Sequence, residues 1–199
     1  MKIAVNTWLL RNKKVDGIGV VTIETISRVI EKHKEVEFMI LCDKGFTEDY
    51  FDYSNVKKYH IFPALRHPVL YVFYMEVILP IFLYRHKPDL FVSMDGFLSL
   101  ISPTKQLSCI YDLNFHHFPK DITLKNRIYY NFFFPKFARK AKMISTLSEY
   151  SKADIVDVYK IPSKKIEVMF CGIKSIFKPI GEREKVRVRN NFTSGAEYF

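Results

Sequence analysis

The chain has 199 residues, 48% of them apolar, which is enough for the core of one α/β domain and too few for two comfortable ones. A formal charge of +10 favours anionic partners, whether nucleic acid, an acidic membrane surface or a phosphorylated small molecule. The 3 cysteines, Cys42, Cys109 and Cys171, are odd in number, widely spaced and without a C-x-x-C pair, so neither a disulfide framework nor a zinc site is indicated and a reducing compartment fits best.

The N-terminus opens on a strand-like run, Lys2 to Trp8, with none of the parts of a secretory signal. A loop rich in Lys, Asn and Asp follows. Ile18, Val21, Ile26, Val29 and Ile30 then recur near helical spacing, and that helix is expected to end around His33 to Lys34. Val36 to Cys42 is predicted as a second strand and Tyr59 to Phe62 as a short third. Pro68 to His86 is predicted as a core helix that Pro80 kinks or breaks; its apolar stretch, Val69 to Tyr84, is shorter than the roughly 20 residues needed to cross a bilayer. Leu90 to Ser93 and Leu107 to Tyr111 are expected to be buried strands. An aromatic-rich helix, interrupted at Pro135, spans Thr123 to Ala141; its run Tyr129, Tyr130, Phe132, Phe133 and Phe134 implies either bulky packing or an apolar surface. Met143 to Leu147 and Ile166 to Met169 complete the strands, and Ser148 stands where a helix N-cap belongs. After Gly172, Pro179, Gly181 and the charged stretch Glu182 to Arg189 look like a linker with one amphipathic turn, and Glu197 to Phe199 like the start of another strand. Strands alternating with helices in this way predict a mostly parallel sheet with helices on both faces.

Three segments carry candidate chemistry. Asp16-Gly17-Ile18-Gly19 stands at the start of the first helix, where glycine lets backbone N–H groups approach a phosphate and the helix terminus supplies about half a positive charge. A third glycine is missing, so this is not the dinucleotide fingerprint, and a turn that simply starts a helix explains it as well. Tyr111 to Pro119 follows a buried strand, at the sheet edge where open parallel sheets bind ligands; Asp112 either faces that crevice or caps the next turn. His116 and His117 invite a metal reading, but neighbouring side chains seldom converge on one ion and no third ligand is visible, so neither a metal nor another cofactor is expected. Thr146 to Lys152 is the third segment, with Ser148 as cap and Glu149 in the first turn. The basic cluster Lys136, Arg139, Lys140 and Lys142 is either a solvated helix face or a contact with anionic lipid headgroups. No helix-turn-helix, zinc-finger or RNA-recognition signature accompanies the charge, so nucleic acid is not an expected partner.

Together these segments resemble the first domain of the family 4 retaining glycosyltransferases, nucleotide-sugar-dependent enzymes of the GT-B architecture. Asp16-Gly17-Ile18-Gly19 looks like the family's Gly-Gly-Ile-Gly loop, departing from it at Asp16 and Val20. Pro88-Asp89-Leu90-Phe91 is similar to its strand signature, and Ile110-Tyr111-Asp112-Leu113 to its His-Asp-Leu motif with Tyr111 in place of histidine. Ala138-Arg139-Lys140-Ala141 and Thr146-Leu147-Ser148-Glu149-Tyr150-Ser151-Lys152 are the most specific match, followed by Lys165 to Gly172, with Cys171 where asparagine is common, and Phe177-Lys178-Pro179.

The resemblance implies a Rossmann-like acceptor-side domain over residues 1–172, the N-terminal half of a GT-B fold. Residues 173–199 would be a linker and the start of a donor domain. It further implies transfer of a hexosyl unit from a nucleotide sugar to a glycan or lipid-linked acceptor with retention, as in polysaccharide biosynthesis. Gly17, Ile18 and Gly19 would touch the donor diphosphate, Asp112 and Tyr111 the sugar and acceptor, and Asn114, His116, Ser148 and Glu149 the cleft wall. The location implied is cytoplasmic, peripheral at the inner face of the membrane, and the chain by itself would be inactive. The competing expectation is a freestanding α/β module that binds a phosphorylated ligand or a partner protein.

Overall fold

The structure, a computed structural model, describes residues 1–10, 15–42, 50–60, 68–173 and 177–197. Seven strands, β1 (Lys2–Asn6), β2 (Glu37–Cys42), β3 (Val56–His60), β4 (Leu90–Ser93), β5 (Gln106–Cys109), β6 (Met143–Thr146) and β7 (Ile166–Val168), form one sheet in the order β3-β2-β1-β4-β5-β6-β7. Every neighbouring pair is parallel. Parallel neighbours cannot be joined by tight turns, so the chain must return along the sheet faces between strands. It does so through α1 (Gly17–Lys32), α2 (Pro68–Phe73), α3 (Leu79–His86), the single turn α4 (Asn114–His117), α5 (Leu124–Lys140) and α6 (Glu149–Tyr159).

Strand side chains alternate between faces, and each face has its own core. On one, Ile3, Val5, Phe38, Ile40 and Cys42 meet Ile26 and Ile30 of α1. On the other, Ala4, Met39, Leu41 and Phe91 pack with Leu79 and Leu83 of α3, Phe134 and Phe137 of α5, and Ile155 and Tyr159 of α6. The expected helices on both faces of a parallel sheet are therefore present. Helix starts follow local chemistry: Asp16, Thr123 and Ser148 accept hydrogen bonds from the amides of Gly19, Asn126 and Ser151.

Five expectations need correction. Pro80 does not break its helix: a wide π turn, Tyr74–Ile78, runs straight into α3, and Pro80 falls in the first turn of the new register, where a missing N–H matters least. Nor is this segment simply a core helix, because Tyr74, Met75, Leu79 and Leu83 are buried while Phe73, Val77, Ile81 and Tyr84 are exposed. Pro135 likewise sits inside an unbroken α5, where burial of Tyr129, Phe134, Phe137 and Ala138 holds the helix together across the lost hydrogen bond. The third strand begins earlier than expected, at Val56, because pairing with β2 organises Lys57 and Lys58 on an edge; Ile61 and Phe62 lie outside the described residues. Glu182 to Thr193 forms a full helix, α7, with no buried residue and with Glu182–Lys185 and Glu184–Arg187 pairs along it, rather than a single turn. Tyr198 and Phe199 lie outside the described residues.

Phe137→Ala should lower unfolding stability by about 3–5 kcal/mol, since the ring is fully buried. Pro135→Ala should instead raise it, by up to about 3 kcal/mol, by restoring a helix hydrogen bond. Urea denaturation of both variants measures the two effects, and a destabilised Pro135→Ala would contradict the account given for α5.

Candidate functional site at the carboxyl edge of the sheet

Strand order reverses at β1: β2 and β3 lie on one side of it, and β4 to β7 on the other. The loops that leave β1 and β4 therefore diverge and open a crevice between them, the place where open α/β sheets bind ligands. A solvent-open pocket of about 250 Å³ occupies this crevice. Asp16 and Ile18 reach it from the start of α1, Asp95 from the end of β4, and Tyr111 and Asp112 from the end of β5; Phe97, Phe115, Tyr130 and Phe134 supply apolar wall. Two of the three segments singled out from sequence thus share one cavity.

The glycine loop divides into two parts. The Gly19 amide donates to the Asp16 carboxylate at 2.8 Å, and a side chain at Gly19 would collide with Val15 and crowd Leu10. Gly19 is therefore a packing residue whose N–H is already satisfied. Gly17 is exposed, with open space where a side chain would project, and no hydrogen bond among the described residues takes the amides of Gly17 or Ile18. Those two amides are the ones left at the helix terminus for an anion.

Asp112 is exposed, accepts the Asn114 amide at 3.0 Å just ahead of α4 and also lines the pocket. Tyr111 lines the pocket with its ring; its hydroxyl is buried with no hydrogen-bond partner within 3.5 Å among the described residues, and burial holds the phenol well above its ordinary range. Such a phenol offers packing more than proton exchange. Asn114, His116, Ser148 and Glu149 are not on the pocket wall. The Ser148 hydroxyl caps α6 through the Ser151 amide at 3.1 Å, Glu149 is exposed beside it, and His116 lies 3.4 Å from the Asn131 side chain. His117 places Nε2 at 2.9 Å from both Asp154 oxygens, tying α4 to α6. In the basic cluster, the Lys136 ammonium sits 3.2 Å from the centre of the Phe132 ring, and the Arg139 carbonyl accepts the Lys165 ammonium at 2.6 Å. Arg139, Lys140 and Lys142 are exposed at the far end of α5. Cys42 and Cys109 are buried, which pushes their thiols up to about 11 and about 12 and keeps them protonated and inert.

Asp95 is the site residue that sequence reasoning missed. The parallel pairing of β1 with β4 sets Asn6 beside Ser93, and both side chains donate to the Asp95 carboxylate, Asn6 at 3.0 Å. The Phe97 amide donates at 3.4 Å. Burial outweighs these bonds and pushes the carboxyl up to about 7, so at neutral pH it holds a proton part of the time. Gly96 makes the geometry possible: its φ of +88° favours glycine, and a side chain there would strike Phe134. The readable signal was an acidic residue directly after a buried strand, at the ligand-binding edge.

No family model and no curated protein matches the sequence. Solved structures do match in shape. Anabaena Alr3699/HepE in complex with UDP-glucose superposes with a TM-score of 0.59 at 13% identity, over 98% of this chain and 50% of that one. The lipopolysaccharide outer core galactosyltransferase WaaB gives 0.56 at 17% identity, over 92% and 50%. The fold is one Rossmann-like half of the GT-B architecture. UDP-GlcNAc 2-epimerase from Neisseria meningitidis, bound to UDP-GlcNAc, shares this half with a TM-score of 0.58 at 12% identity, over 84% of this chain and 45% of that one. The chain thus spans about half the length of the solved structures it matches, and at these identities the likeness is one of fold.

A pH series tests Asp95. Its folded value of about 7 lies above the ordinary 3.8, so the folded protein holds this proton more tightly than the unfolded chain does. The associated stability is complete below about pH 4 and falls as pH rises towards about 7, by up to about 1.4 kcal/mol per unit. Asp95→Asn, neutral throughout, should flatten this part of the urea-midpoint profile between pH 5 and 8; an identical slope in both proteins would show that Asp95 is ionised throughout.

Proposed function

We propose that this chain is the acceptor-side half of a family 4 retaining glycosyltransferase, moving a hexosyl unit from a nucleotide sugar to a glycan or lipid-linked acceptor at the cytoplasmic side of a membrane, as in polysaccharide biosynthesis. The observation that carries the reading is the convergence of Asp16, Ile18, Asp95, Tyr111 and Asp112 on one pocket at the β1–β4 switch point. The UDP-sugars held by HepE and the epimerase support a uridine diphosphate sugar as donor.

In this reading residues 1–172 form the acceptor lobe, and residues 173–199 lead into a donor lobe that completes the site. The pocket, at about 250 Å³, is small for a whole nucleotide sugar and suits one part of it. The hard step is departure of the nucleoside diphosphate, and the amides of Gly17 and Ile18 stabilise its growing charge without a metal or cofactor. Phe97, Phe115 and Tyr130 offer apolar faces to a sugar ring. Asp95, with its raised carboxyl, hydrogen-bonds an acceptor hydroxyl in either protonation state. A freestanding binding module remains the second reading, because the pocket exists within this chain.

Reading the coding sequence past Phe199 and expressing the extended chain separates the two. Release of UDP from UDP-sugars should appear only in the extended protein. Turnover by the 199-residue chain alone would overturn the half-site, and absence of an encoded second lobe would favour the binding module. Within an active extended protein, Gly17→Ala should raise the KM for donor roughly tenfold with an unchanged or higher melting temperature, because the added methyl meets only the ligand. An unchanged KM would remove Gly17 from the donor site.

A further inference from the structure

Val69–His86 is the most apolar long helical segment among the described residues, with a mean hydropathy of 1.3, yet only 22% of it is buried. Its inner side is fixed by Tyr74, Met75, Leu79 and Leu83 in the core, and by Glu76. The Glu76 carboxylate accepts the Leu100 amide at 2.9 Å, the Ile101 amide at 3.2 Å and the Ser99 hydroxyl at 3.4 Å. A carboxylate tied to the loop after β4 fastens the middle of this helical segment to the protein.

The outer side is different. Phe73, Val77, Ile81 and Tyr84 follow one another at helical spacing and are between 38% and 77% exposed. On α5, Leu124, Ile128 and Phe132 form a second stripe, 55% to 63% exposed. The two helices lie on the same sheet face and touch through Tyr71 and Tyr129, whose ring centres are 5.5 Å apart, so both outer faces belong to one side of the molecule. Between Leu124 and Lys140 there are five lysines and arginines and no acid. The one carboxylate between Pro68 and His86 is Glu76, which is turned inward, and α3 ends beside exposed Arg85 and Lys87. Asp121, just before α5, is the nearest acidic residue in sequence to that helix.

We propose that this side, formed by α2, α3 and the first half of α5, seats the protein on the surface of an anionic lipid bilayer. Phe73, Ile81, Ile128 and Phe132 enter the headgroup layer while Lys125 and Arg127 pair with lipid phosphates. Tyr84, beside Arg85, suits the boundary between acyl chains and water. A second copy docked on the same patch would bring cation against cation. The lipid contact is thus centred on the early turns of α5 and on α2–α3 rather than on Arg139, Lys140 and Lys142. It does not depend on the transferase reading.

Vesicle sedimentation of the purified chain tests this with phosphatidylcholine vesicles, with and without phosphatidylglycerol, at low and high salt. The protein should sediment with the anionic vesicles, less so at high salt. Lys125→Gln/Arg127→Gln should weaken partition roughly thirtyfold, taking about 1 kcal/mol per cation. Ile81→Asp/Ile128→Asp should abolish it with an unchanged melting temperature. Equal binding to neutral vesicles, full binding by the double aspartate variant, or a concentration-dependent dimer that this variant loses would each overturn the proposal.

Discussion

Parallel pairing on both sides of β1 constrains everything else in the molecule. Strands that run the same way must be joined across the sheet faces, so helices cover both sides and every strand ends at the same edge. With β2 on one flank and β4 on the other, the chain leaving β1 turns one way and the chain leaving β4 turns the other. The pocket is the gap between them. It follows from strand order, and the side chains only decide what it is lined with.

Two carboxylates are held by different partners. Glu76 meets three donors from a single loop, two of them backbone amides, and acts as a fastener. Asp95 takes one amide and the side chains of Asn6 and Ser93, and desolvation raises its carboxyl. One group is spent on architecture, and the other keeps a proton in play beside an open cavity.

Much of the fold was legible because its signals are local. Runs such as Phe38 to Leu41 and Leu90 to Ser93 are apolar and short, and Asp16, Thr123 and Ser148 mark helix starts by their side-chain chemistry. The proline positions misled because a local penalty of about 3 kcal/mol was set against burial that depends on distant partners. The third strand was misplaced because Val56 to His60 is held by its neighbour on the sheet more than by its own composition. In the site, Asp16, Ile18, Tyr111 and Asp112 could be read from their place after strands. Asp95 also follows a strand, but its raised carboxyl comes from burial in the fold and its bond to Asn6 spans 89 positions, and neither is visible in the local sequence. The glycine loop was legible as a loop, but only in the folded structure is it seen that Asp16 already occupies the Gly19 amide.

The strap from Asp95 to Ile101 is pinned twice, by Asn6 and Ser93 at its beginning and by Glu76 at its end. Such a short, doubly anchored span cannot slacken. The floor of the pocket and the helical segment that carries Phe73 and Ile81 are thus joined through this one strap.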